Sequence, residues 1–212
     1  QLGIPAGVQG MLFSISNLSI QSALNSFGST AMAGATVAGN IEGFVYISMN
    51  SVSQGMLSFT SQNLGAKQYK RINDILKNCV LALGMIAVIS NILVLLFSKS
   101  LAELFTNSEE VVRYAQERMF IIICPCCLFG LMDVLVGGLR GFGYSFQPMI
   151  ISLIGICCTR VFYVLVLFPL PAFHGLKQLY FSYPVTWVIT LSCLWVLYKK
   201  VRNTFPATNE EG

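Results

Sequence analysis

A chain of 212 residues that is 55% hydrophobic and only 10% charged lies far from the composition of a water-soluble domain, where about a quarter of residues carry charge. The formal charge of +4 is small and unevenly placed, which excludes a nucleic-acid surface as its purpose, and a mean hydropathy of +0.69 points to lipid. No Asp, Glu, Lys or Arg occurs in 1–41, 43–66, 78–98 or 178–198, and about 20 mainly apolar residues cross a bilayer.

Taken in chain order, this pattern predicts an all-α membrane protein, a bundle of six transmembrane helices forming one unit over 1–212. The spans fall at about 4–27, 32–62, 77–98, 118–140, 146–170 and 178–198. The first two are rich in Gly, Ser, Asn and Gln, so they are expected to line a cavity or pack closely rather than face lipid all round. In the first, Ser14, Asn17, Gln21 and Asn25 recur every three or four residues on one face. Such a stripe either contacts substrate or bonds a neighbouring helix. The second carries Glu42, Tyr46, Met49 and Met56 and closes in "SQNLGAKQYKRIND", where Gly65 is expected to end the helix and the basic cluster to anchor it at headgroups.

After the third span, "LFTNSEEVVRYAQERM" places Asn107 three residues before Glu110, a pattern like a capping box that predicts an external amphipathic helix leading into the fourth span. That span contains "CPCC", residues 124–127, in which Pro125 is expected to kink the helix rather than the thiols to bind a metal. "DVLVGGLRGFGYSFQP" then joins the fourth and fifth spans, with Gly137 and Gly138 allowing close backbone approach, Gly141 and Gly143 loosening the turn, and Pro148 opening the next helix. Lys67, Lys70, Arg71, Lys77, Arg140, Lys199, Lys200 and Arg202 share one side of this topology, against Lys99, Arg113, Arg118 and Lys177 on the other. The positive-inside rule therefore puts both ends of the chain in the cytoplasm of a multi-pass protein of the cell membrane. The seven cysteines sit almost wholly within spans and form no extracellular disulfide pattern. A hydrophobic span that begins at once, without Met or a basic leader, is expected to belong to a longer protein.

Four segments in this order, "GIPAGVQGMLFSISNLSIQSALNSFG", "GNIEGFVYISMNSVSQGMLSFTSQNLGAKQYKR", "LFTNSEEVVRYA" and "VGGLRGFGYSFQP", resemble the C-terminal half of a bacterial multidrug and toxin extrusion (MATE) transporter. The likeness runs from Gly3 to about Arg202. It implies a twelve-helix transporter of two six-helix lobes, this chain supplying helices seven to twelve and pairing with an N-terminal lobe. It also implies a small-molecule substrate bound between or within the lobes and exchanged for Na⁺ or H⁺, with no other cofactor. Many members carry an acid on the seventh helix; the corresponding segment here, 3–26, has none, so the family's cation site does not transfer directly.

Three ionisable residues fall inside spans: Glu42, Asp133 and Arg160. Such residues normally face a bundle interior or a wet cavity, paired. At 1.5 Å per residue Arg160 lies about 18 Å beyond Pro148 and Asp133 about 10 Å from Arg140, which makes Asp133 the first choice of ion-pair partner for Arg160 and Glu42 the second. On this reading Arg160 is chiefly a staple between helices. Glu42 and Asp133 are the candidates for cation or proton coupling, because burial favours a protonated carboxyl while a nearby guanidinium favours the ionised one. Asn17, Gln21, Asn25, Tyr46 and Tyr163 are candidate cavity residues. Phe44, Phe59 and Phe142, with those two tyrosines, offer ring faces to a flat cation, although packing accounts for aromatics as well. The two methionines either shape a tolerant pocket or pack.

The expected function is antiport of organic, cationic compounds. A lipid-linked oligosaccharide flippase or polysaccharide exporter is the alternative, and its pyrophosphate would call for a more basic cavity. The sequence holds no HExxH or G-x-S-x-G, which argues against an enzyme.

Overall fold

A computed structural model describes residues 3–171 and 173–206; the two extremes of the expected 1–212 unit lie outside them. Among the described residues there are seven helices: α1 (Gly3–Asn25), α2 (Ser29–Gly65), α3 (Tyr69–Glu103), α4 (Glu109–Ile123), α5 (Cys126–Gly141), α6 (Phe146–Leu167) and α7 (Leu176–Arg202). No strand occurs among the described residues. The helices α4 and α5 are halves of one broken rod, bent by 49° at Cys124 and Pro125. A proline has no N–H to continue the ladder, so the break falls where the sequence placed a kink.

Tyr69–Val94, Phe146–Leu167 and Leu176–Arg202 are long and apolar enough to cross a bilayer, at mean hydropathies of 1.9, 2.3 and 1.4, and the bent pair qualifies as a fourth span. Helices α1 and α2, of 23 and 37 residues, have the length without the apolarity. Their exposed side mixes large apolar groups such as Met11, Leu18, Phe44 and Ile47 with Asn17, Gln21, Asn50 and Gln54. At 1.5 Å per residue α2 is about 55 Å long, well beyond a hydrocarbon core of roughly 30 Å.

Two expected helix ends differ in detail. Helix α2 does end at Gly65, but the left-handed position is Lys67, at φ 55°. The N-cap of α4 is Ser108, not Asn107, and makes no side-chain cap; its amide instead donates to Thr106 Oγ1 at 3.2 Å. Glu109 and Glu110 still occupy the first turn, where carboxylates suit the positive end of the helix dipole.

One core joins α2, α3, α4 and α5 with the end of α7, and a second joins α1, α6 and the start of α7. Helices α2 and α5 touch backbone to backbone: a Cβ on Gly137 would run into the Ser53 carbonyl, and one on Gly141 would lie 2.6 Å from Thr60 Cβ. Gly141 thus serves helix contact rather than loosening the turn. Ser53 Oγ donates to the Asp133 carbonyl across this contact at 2.7 Å, which fixes Asp133 relative to α2.

At one end of the bundle, Arg202 binds Asn73 Oδ1 at 2.9 Å and the Tyr69 carbonyl at 3.2 Å. Phe205 stacks on Tyr69 and Phe142. These contacts bring the α2–α3 turn, the end of α5 and the end of α7 together, and with them the basic residues grouped from the sequence.

Helix α6 is irregular. Wider π-type turns at Leu153–Cys158 and Tyr163–Leu167 flank the single α-helical turn Thr159–Phe162, which carries Arg160. Such turns often mark functional positions.

Candidate substrate and ion site

The expected site residues divide among four places. Glu42, only 2% exposed, receives a two-pronged ion pair from Arg118: Nε to Oε1 and Nη2 to Oε2, both 2.9 Å. The Arg118 guanidinium lies 5.3 and 5.8 Å from the ring centres of Tyr180 and Tyr183. A fourth span that starts at 118 places Arg118 among the outer-side charges. The helix starts at Glu109, nine residues earlier, so Arg118 sits about 14 Å along it, facing α2. A planar fork on a carboxylate satisfies both oxygens at once.

Arg160 pairs with neither acid, contrary to the sequence expectation. Its Nη1 donates to Asn17 Oδ1 at 3.4 Å, and its guanidinium carbon lies 4.1 Å from the Tyr183 ring centre. The residue is 5% exposed, and its Nε finds no acceptor among the described residues. Helices joined by a short turn need not stay neighbours along their length, which is why the expected pair does not form. Helix α6 meets α5 only slightly and lies against α1 and α7, while α5 packs on α2 and α7. Arg160 does bridge helices, through an amide and a ring.

Asp133 stands apart from Arg118 and Arg160, with Arg140 within electrostatic range of it. Its Oδ2 accepts the Asn50 amide at 3.0 Å, a neutral partner that the sequence reading did not single out. The signal was legible: Tyr46 and Asn50 are four residues apart, so they share one helix face. Tyr46, Ile47, Asn50, Ser51, Gln54, Phe129 and Asp133 line a hollow of about 490 Å³. The Tyr46 and Phe129 rings are 4.8 Å apart at its rim. Here an expected acid and an expected cavity aromatic line the same hollow.

The remaining candidates are dispersed. Gln21 and Asn25 are exposed on α1. Tyr163 faces a separate, almost wholly apolar hollow of about 520 Å³ between α6 and α7, with Phe162, Phe173 and Phe181. Phe142 is buried against Tyr198 and Phe205, and Met49 and Met56 are 0% exposed, so all three pack and cannot face substrate. Phe44 and Phe59 are exposed.

A family model named MatE matches residues 5–166. The probable multidrug resistance protein YoeA of Bacillus subtilis (strain 168) is 25% identical over 95% of this chain and 43% of its own length. The FAD transporter of Shewanella oneidensis is 24% identical over 98% of the chain and 45% of its own length. Among solved structures, the Vibrio cholerae MATE transporter VcmN in its bent form superposes with a TM-score of 0.84, at 21% identity, over 96% of this chain and 46% of that one. The chain thus spans about half the length of the relatives it matches, folds as a six-helix lobe of such transporters, and belongs to the MatE family.

Proposed function

We propose that this chain is the C-terminal lobe of a secondary transporter that exports organic compounds bearing a cationic group, in exchange for H⁺ or Na⁺ bound at Asp133. The partner is a second six-helix lobe across the exposed face of α1 and α2, in a cell membrane with both ends of this chain cytoplasmic. The observation that carries the reading is Asp133 itself: a carboxylate tethered by the neutral Asn50 amide at the edge of a hollow with two aromatic rings at its rim. Glu42 is already engaged by Arg118 on both oxygens, so it is the weaker choice for exchange and the stronger one for holding α2 to α4. The name of one relative as a probable multidrug resistance protein supports the export reading.

The physics is competition for one charge. A cation about 4 Å from a carboxylate at an effective dielectric constant near 20 gains roughly 4 kcal/mol, about a thousandfold in affinity. A proton or sodium ion on Asp133 cancels that attraction and releases the compound outside; loss of the ion inside restores it. Two aromatic faces add roughly 0.5–2 kcal/mol each for a flat cation. The test is Asp133→Asn in the whole transporter, assayed for export of a fluorescent organic cation from vesicles under an imposed pH or sodium gradient. Gradient-driven export is expected to fall to background in this variant with folded protein present; export at the wild-type rate contradicts exchange at Asp133.

A further inference from the structure

Arg160 is the buried charge that the exchange mechanism leaves unused. The groups that act most strongly on it are Tyr183, Tyr46, Cys157 and Arg118, none of them a carboxylate, and the charge on Arg118 is cancelled by Glu42. The Tyr183 ring compensates a guanidinium only in part. The Asn17 bond, at 3.4 Å, is at the far limit of hydrogen bonding. The Nε donor has no acceptor among the described residues. A guanidinium in this setting is strongly disfavoured without a counter-charge. Asn17, its partner on α1, is exposed within a polar stripe. With Oδ1 of Asn17 turned to Arg160, the amide nitrogen is left to donate outward.

We infer that Arg160 and Asn17 form a recognition site for an oxyanion, a carboxylate or phosphate group carried by the transported compound. The planar fork of Arg160 binds both oxygens of such a group, which an ammonium cannot do. The long Asn17 bond is exchanged for a charge-assisted one. The irregular turns on either side of Thr159–Phe162 hold the arginine in a helix that already departs from regular geometry. Tyr46 borders the Asp133 hollow and lies within electrostatic range of Glu42, Arg118 and Arg160, so the hollow and the arginine share a tyrosine neighbour. A compound with a basic group at one end and an acidic group at the other satisfies both. This inference rests on the export reading for its cargo and names that cargo as zwitterionic.

The test compares rhodamine B, which carries a xanthene cation and a free carboxylate, with its ethyl ester, which keeps the cation and loses the anion. Binding of each is measured by fluorescence anisotropy to the whole transporter in phosphatidylcholine nanodiscs, a lipid without net charge. The expected result is at least tenfold tighter binding of the acid by wild-type protein. That ratio falls to near one in Arg160→Gln and stays above threefold in Arg160→Lys, which keeps the charge without the fork. Equal affinities in wild type, no binding of the acid, or an undiminished ratio in Arg160→Gln would each overturn the site. Should Arg160→Gln fail to fold, the wild-type ratio and Arg160→Lys decide. Asp133→Asn weakens both dyes alike and leaves their ratio intact, so failure of the exchange reading is seen in that variant and failure of the oxyanion site in the ratio.

Discussion

Removing one partner of the Glu42–Arg118 pair leaves a charge that two tyrosine rings cannot satisfy. Breaking a buried pair in this way costs about 3–5 kcal/mol, whereas replacing both partners by apolar groups is often neutral. Glu42→Gln or Arg118→Gln alone is therefore expected to lower the thermal stability of purified protein sharply, and Glu42→Leu with Arg118→Met to recover most of the loss. A double variant no more stable than the singles would show that the bridge is not self-contained. Residue type and approximate depth identify Glu42, Asp133 and Arg160 as ionisable groups inside spans, because each interrupts a long apolar stretch. Their partners were not readable from spacing. Arg118 lay at an assumed span boundary, Asn50 is an uncharged amide on a polar helix, and the ring of Tyr183 gives no charge signal.

At the scale of elements, the positions of the helices follow from runs without charge, and the kink follows from Pro125. Their adjacency does not, because the fifth span leaves its predecessor at the turn and settles on the first and last helices. Glycine spacing carries part of that missing information: Gly137 and Gly141 lie one turn apart on α5, where the backbone of α2 comes closest. Gly137→Ala is expected to cost about 1–3 kcal/mol through overpacking. Gly84, on α3, has nothing within 4 Å of an added Cβ, so Gly84→Ala is expected to be neutral or to stabilise by up to about 1 kcal/mol. Thermal unfolding of the two variants side by side checks this, and equal shifts would contradict the α2–α5 contact.

For the whole molecule, the bundle has one basic end and an exposed face on α1 and α2 that mixes amides with large apolar side chains. Neither helix meets the hydropathy of a lipid-facing span, which is why composition along these segments already pointed to a cavity or a partner. The end assignment is checked by labelling with a membrane-impermeant maleimide after the seven free cysteines are replaced by serine. Arg71→Cys is expected to react only from the cytoplasmic side, and Lys177→Cys only from outside; labelling of both from one side would reverse or break the topology. The exchange mechanism itself is tested most directly by ion displacement. Purified whole transporter is mixed with a saturating organic cation, and released H⁺ (in weakly buffered solution) or Na⁺ is counted. About one ion released per compound bound by wild type, and none by Asp133→Asn, is the predicted result; equal release from both, or none from wild type, would contradict it.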